Sequence, residues 1–332
     1  MNESTKQAKL SKTQRLPIRA TADTFIHFLF ASRGHEMILL AFVNAILNNA
    51  KQPLVESTEV QNPFNPKTFL TDKRSIIDIK AVAKNDRQFV IEFQVGWYPA
   101  FGKRLLWNWG KAFCGNITEG EHYEKLIPVV VIVITNFLLF DALEKLHNVF
   151  WITAQDNPNF ILSNDFQMHV IEVIAKKINQ IANIDDPLKG WLLFLWFADK
   201  KTEKEMKFLL QDSDPMVNLA YDKYLQFCED EELRQIEDAR QQYLHDYATE
   251  IEYATRKGIN IGREEGRAEG REEGRETQIE ILLRILTKRF EVVPITVRKQ
   301  LRTIKNLEHL AELTDISLDC KSIDEFKKAL KK

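Results

Sequence analysis

The chain has 332 residues, enough for about two domains of ordinary size, and 44% hydrophobic with 28% charged residues lets each bury a core. That balance excludes a disordered chain, a collagen-like chain and a disulfide scaffold. Forty-six basic against 48 acidic residues leave a formal net charge of −2, which argues against a globally basic nucleic-acid coat protein.

Residues 1–20 carry five basic side chains and one acidic one and read as a flexible basic arm. No apolar signal-peptide core follows them. The stretch DTFIHFLFASRGHEMILLAFVNAILN (23–48) reads as two helices broken near Ser32-Arg33-Gly34, the second with Met37, Leu40, Ala41, Asn44 and Leu47 at helical spacing. RSIIDIKAVA (74–83) and FVIEFQV (89–95) are strand-like, with the polar KNDR between them as a turn. A helix follows from about Ala100 to Phe113, then a buried strand at 128–135 within LIPVVVIVITNFLLF. That apolar run is too short and too interrupted to span a membrane. The order α, β, β, α, β predicts an α/β core with helices on a mixed sheet, occupying residues 21–150.

Residues 151–255 read as a mostly helical extension, in which WLLFLWFA (191–198) supplies core aromatics. Glycines at 258, 262, 266, 270 and 274 then mark a Gly/Arg/Glu repeat over 256–276, expected as a linker or marginal helix. Residues 277–332 return to apolar helical periodicity as a small C-terminal unit. Cys114, Cys228 and Cys320 are odd in number and lack a CxxC pair, so reduced thiols and a cytoplasmic location are expected. Seven scattered histidines form no HExxH or paired spacing, and no phosphate-binding glycine loop or nucleophile elbow occurs.

Chemistry concentrates in the hairpin. On strands of period two, Asp78 shares a face with Lys80, and Glu92 with Gln94. Asp78 and Glu92 converge only if paired positions sum to an even number: 170 sets Asp78 against Glu92, and 172 sets it against Gln94. A two-residue turn at Asn85-Asp86 would give 171 and separate them, so the reading predicts an odd-length loop or a bulge. Two converging carboxylates hold a hard divalent cation such as Mg²⁺, which acidifies water and polarises a phosphoryl oxygen. The plain alternative is a pair of ordinary strand carboxylates.

Taken in order, TADTFIHFLFASRGHEMILLAFVNAIL, NPFNPKTFLTDKRSIIDIKAV, FVIEFQ, KRLLWNWGKAFCGNITEGEHYEKLIPVVVIVITNF and KGWLLFLWFAD resemble the recombination-promoting nuclease (Rpn) family. That family, also described as transposases, lies within the PD-(D/E)XK nuclease superfamily, and the resemblance covers roughly residues 20–275. It implies a restriction-endonuclease-like α/β fold and Mg²⁺-dependent cleavage of DNA, linked to recombination or mobile DNA. Asp78 matches the first aspartate of the superfamily motif, with Ile77 in place of the signature proline. Glu92 matches the second acid, and Gln94 stands where many relatives carry lysine. Asp78, Glu92 and the Phe93 backbone carbonyl are the expected metal ligands, and Gln94 and Arg104 the groups that position water and phosphate. Lys111 shares the Arg104 helix face, Asp23 is read as an N-cap rather than a third ligand, and Glu119 and Glu121 shape a turn. The last residues resemble a short helical domain often appended to such nucleases. The expected partners are DNA and a second copy of the chain, joined through the repeat or the C-terminal unit. A non-catalytic DNA-binding or assembly protein on the same scaffold, and a transposase that also joins strands, are the alternatives.

Overall fold

The computed structural model describes residues 17–65, 78–84, 87–94, 96, 99–184 and 187–331. One compact unit ends at Leu244, and a second comprises His245–Lys332.

The first unit opens with α1 (Asp23–Ala31) and α2 (Glu36–Asn49). They break where expected, at a turn in which Gly34 takes φ 85°, a left-handed value that glycine adopts without a Cβ penalty. The buried face of α2 carries Ile38, Leu39, Phe42, Val43 and Ile46, while Met37 is exposed. The stripe expected from Met37 is therefore rotated by one residue, because both flanks of this apolar helix satisfy a helical spacing.

A six-stranded mixed sheet follows, in the order β1 (Glu59–Val60), β2 (Asp78–Val82), β3 (Gln88–Gln94), β4 (Val129–Thr135), β8 (Phe166–Glu172) and β5 (His147–Phe150). β3, β4 and β8 run parallel, and β2 and β5 flank them antiparallel. Arg74 to Ile77, read as the start of the first strand, lie outside the described residues. A separate exposed hairpin joins β6 (Thr153–Ala154) to β7 (Asn157–Ile161).

The sheet continues past residue 150, so the expected border between core and helical extension cuts it. β8 is fully buried and carries Gln167, His169 and Glu172 inside, which masks its strand character. Glu172 has a structural reason to be there. The Glu172 carboxylate accepts from Leu139 N at 2.6 Å and from the Lys177 ammonium, which also donates to the Leu143 carbonyl at 2.7 Å. This ties the loop after β4 to the end of β8.

One face of the sheet is covered by α1 and α2 together with α4 (Leu188–Phe197) and α6 (Pro215–Glu229). Their core holds Phe25, Phe30, Phe42, Trp191, Phe194 and Phe227, with Phe25 edge-on to Tyr224 at 5.2 Å. The other face is covered by α3 (Phe101–Cys114) through Phe101, Leu105 and Ala112. A short α5 (Glu203–Leu209) starts on a Thr202/Glu205 capping box. Among the described residues no single helix is long and apolar enough to cross a membrane.

The next helix, α7 (Glu231–Phe290), runs through the whole Gly/Arg/Glu repeat. The stretch expected as a linker or marginal helix is therefore helical. Ion pairs Glu252–Arg256 and Glu272–Arg275 support it locally. Within the second unit, Ile279, Leu282 and Leu286 of α7 pack on α8 (Ile295–Thr303), α9 (Leu307–Asp319) and α10 (Ile323–Ala329) through Val297, Leu301, Leu310, Leu313 and Phe326.

Tertiary structure also joins two histidines that sequence spacing left apart. His147 Nε2 lies 2.9 Å from His169 Nδ1, and His147 Nδ1 lies 2.7 Å from Asn49 Oδ1. Asn49 Oδ1 only accepts, so His147 Nδ1 donates to it, and with both rings neutral His147 Nε2 accepts from His169 Nδ1. Burial lowers His147 to about 4 and His169 to about 3, the latter helped by the neighbouring ring. A folded pKa below the unfolded value near 6.5 means that the unfolded chain takes up the proton first as pH falls. Stability contributed by these rings is therefore complete above pH 6.5 and is lost from there down to about pH 4 for His147 and about pH 3 for His169. The slope approaches about 1.4 kcal/mol per pH unit for each ring. Urea melts at pH 7.5 and pH 5 check this: the expected midpoint falls at pH 5, by less in a His147→Gln/His169→Gln protein. Equal pH dependence in both proteins would contradict it.

Candidate active site

The β2–β3 hairpin closes through a three-residue connection, with Ala83 N donating to Arg87 O at 2.9 Å. The register pairs Asp78 with Glu92 and Lys80 with Val90, a sum of 170 in each case. The odd-length loop therefore sets the two acidic positions directly across from each other, on one face of the sheet. That face lies under α3, beside Val90, Val131 and Val133.

Glu92 is only 1% exposed, and a buried carboxylate needs cationic or hydrogen-bonding partners. α3 supplies both from successive turns. The Arg104 guanidinium forms an ion pair with Glu92 Oε1, and Asn108 Nδ2 donates to Glu92 Oε2 at 3.3 Å. Four residues apart on a helix, Arg104 and Asn108 share one stripe, with Leu105 and Ala112 anchoring the adjacent stripe in the core. Asn108 was not foreseen from the sequence; only the Glu92 carboxylate beside it gives it a role. Lys111 is exposed at the far end of the helix.

Gln94 joins the same cluster. Arg104 donates to Gln94 Oε1 at 2.5 Å, and Gln94 Nε2 donates to the Gly96 carbonyl at 3.3 Å. Gly96 N in turn donates to Asn136 Oδ1 at 3.1 Å, fixing the loop beyond β3 against the end of β4. The Arg104 guanidinium also sits 4.9 Å from the Phe101 ring centroid, a cation–π contact that orients it. Phe93 points its ring the other way, 6.0 Å from Phe30 and 6.1 Å from Phe42. That anchor pins the backbone on which Glu92 and Gln94 stand.

Asp23 is elsewhere. It is the first residue of α1 rather than its N-cap, a position held by Ala22. Its carboxylate accepts from Thr24 N at 3.0 Å and from Arg240 Nε at 2.7 Å. That charge is committed to the helix start and to α7. Glu121 accepts from Thr118 N at 2.8 Å and pairs with Lys125, which holds its carboxyl down to about 2 and shapes the turn as expected.

Among the described residues no group of three or more His, Cys, Asp and Glu side chains converges. The donor set of the hairpin is nonetheless the kind that suits a hard divalent ion. It is a carboxylate position across from a second acidic position, oxygen donors without imidazole or thiolate. The buried negative charge of Glu92 attracts a cation, and Arg104 answers that demand within the protein itself.

A model of the PD-(D/E)XK nuclease family transposases matches residues 21–254. No curated protein and no solved structure matches the chain. The six-stranded mixed sheet, the paired acidic positions and a match over most of the length converge: the chain belongs to the PD-(D/E)XK nuclease family transposases.

Proposed function

We propose that the chain is a metal-dependent DNA endonuclease that hydrolyses phosphodiester bonds, linked to recombination or mobile DNA. The observation that carries this reading is the buried Glu92 carboxylate, registered opposite Asp78 and bridged by Arg104 to Gln94. In this reading Asp78, Glu92 and the Phe93 backbone carbonyl hold Mg²⁺. The bound ion supplies Lewis acidity toward the phosphoryl oxygen and acidifies a water.

The remaining steps belong to the protein. The Arg104 head is 31% exposed, so the cation that neutralises Glu92 also faces an incoming phosphate. Gln94 carries no charge and cannot take a proton; its amide orients a water or a phosphate oxygen. Asn108 keeps the second Glu92 oxygen aligned while Arg104 turns toward substrate. Residues 21–150 hold 13 basic and 13 acidic side chains, so DNA contacts must be local. The basic arm 1–20 adds phosphate contacts that weaken with salt. DNA as substrate and three cysteines left as thiols fit a cytoplasmic location. Supercoiled plasmid incubated with the full chain is the direct test. Nicks that appear with Mg²⁺ and vanish on chelation support the reading, and nicking that ignores chelation overturns it.

The same reading includes a homodimer through the repeat in α7. Among the described residues a Cβ added at Gly258, Gly262, Gly266, Gly270 or Gly274 meets nothing within 4 Å, so no packing among them requires these glycines. Each costs about 1 kcal/mol relative to alanine in a helix. Close approach of a second helix gives that cost a purpose. Replacing Gly262, Gly266 and Gly270 together with alanine is expected to weaken self-association. Light scattering would then report a mass falling from dimer toward monomer, and an unchanged mass would remove the repeat from the interface.

A further inference from the structure

A cavity of about 290 Å³ opens at the C-terminal ends of β3 and β4, lined in part by Gln94, whose amide oxygen also accepts from Arg104. In open α/β sheets this end of parallel strands is where ligands bind. The floor is apolar, formed by Phe93, Ile134 and neighbours, and Trp196 lines one wall. The rim is polar and net positive: Arg19 and Lys200 against Asp199, with Asn136 alongside.

The Lys200 ammonium lies 3.5 Å from the Trp196 ring centroid. Partial burial depresses its pKa, and the charge of Arg19 adds to that while Asp199 opposes it. Two cations crowded at one rim are relieved by an anion. An apolar floor with an aromatic wall suits a flat heterocycle, and Asp199 and Asn136 offer an acceptor and an amide to its edge. The volume lies at the lower limit of roughly 300 Å³ for small-ligand pockets, which suits one nucleotide and not a paired segment.

We infer that this cavity receives a single unpaired nucleotide of the substrate strand, its base against Trp196 and its phosphate at Arg19 and Lys200, next to the bond cut at Glu92. The inference rests on the DNA-nuclease reading and narrows it to a substrate class: DNA with an unstacked or unpaired nucleotide beside the scissile phosphate. Taking a base out of a duplex costs a few kcal/mol, least where it is already unpaired, so such sites are selected energetically. Gln94, which lines the cavity and also accepts from Arg104, couples occupation of the cavity to the position of the phosphate-facing cation.

The test reads binding rather than cleavage. Fluorescence anisotropy of the full chain, without divalent metal, compares three labelled duplexes: fully paired, with a one-nucleotide bulge, and with an abasic residue at the bulge. The bulged duplex is expected to bind about tenfold tighter than the abasic one, the usual scale of one stacked base. Lys200→Ala is expected to remove most of that preference while leaving the affinity for paired duplex and the melting temperature unchanged, and Trp196→Leu to remove it with a lowered melting temperature, because Trp196 packs against the core. Equal binding of all three duplexes, or a uniform loss in Lys200→Ala, overturns the proposal. A deoxynucleoside monophosphate that binds in a Lys200-dependent manner, without any bulge preference, also overturns it and assigns the cavity to a free nucleotide. Because the hairpin acids play no part in this readout, its outcome is separate from that of the nicking test. Nicking with no bulge preference removes the cavity proposal alone, and a bulge preference without nicking removes the nuclease reading and leaves the cavity as a binding site for an unpaired nucleotide, not part of a cleavage site.

Discussion

Loss of divalent-metal-dependent nicking by at least about 10³-fold is the expected result of Asp78→Ala and, separately, of Glu92→Ala, because several kcal/mol of charge stabilisation leave with the bound cation. Glu92→Gln is the cleaner companion. It keeps the side-chain volume under α3 and one oxygen for Arg104, and removes the charge that attracts a metal. Its activity should fall as far as that of the alanine protein, while its thermal stability falls less. Affinity for paired DNA in the absence of metal should hold or rise slightly, since a negative charge has been removed near the phosphates. Supercoiled plasmid with Mg²⁺, with Mn²⁺ and with chelator provides the measurement. Cleavage that survives both substitutions would move the active site away from the hairpin. Binding without cleavage under every divalent metal, in the unaltered protein, would instead favour a DNA-binding scaffold that has given up catalysis.

Arg104→Ala is expected to act twice. Nicking should drop by about 10²-fold, the scale seen when one preorganised donor to a developing charge is removed. Stability should also fall, because Glu92 is 1% exposed and would lose the guanidinium that pairs with its carboxylate. Breaking a fully buried pair costs about 3–5 kcal/mol, and the 31% exposure of Arg104 lowers the expectation to about 1–3 kcal/mol. Arg104→Lys keeps the charge but loses the fork that reaches both Glu92 and Gln94, so it should recover stability better than nicking. The double change Arg104→Ala/Glu92→Gln should be more stable than Arg104→Ala alone, since no buried charge is left unneutralised. Thermal melts and nicking rates on the unaltered protein and these three variants decide the matter. A loss of stability with nicking intact would reduce Arg104 to a structural partner of Glu92.

Much of this site was legible from residue order. Period-two alternation in IIDIKAV and VIEFQV put Asp78 with Lys80 and Glu92 with Gln94 on single faces, and an even register was the condition for convergence. The hairpin meets that condition with a three-residue loop. Arg104 was legible only through the family resemblance, because nothing in a helical charge says which strand it will cover. Asn108 was not legible: an asparagine becomes meaningful when a buried carboxylate lies 3.3 Å from its amide. Asp23 shows the converse. Its place at a helix start suggested a cap, yet its partner Arg240 comes from a helix more than 200 positions away.

Local chemistry along the chain determined the element types at the hairpin, the break at Gly34 and the buried strand VVVIVIT. Those features depend on periodicity and turn chemistry, which neighbouring residues set between them. Tertiary structure alone decided the rest. β8 became a central strand despite three buried polar residues because Lys177 and backbone amides satisfy Glu172 and because His147 meets His169. The Gly/Arg/Glu repeat became helix although each glycine disfavours it, since nucleation is the costly step and apolar helical turns precede and follow it. The cavity beside Gln94 likewise gathers Arg19, Asn136 and Lys200 from three distant segments. Burial and long-range pairing act between residues that the chain order keeps apart, so no local pattern announces them.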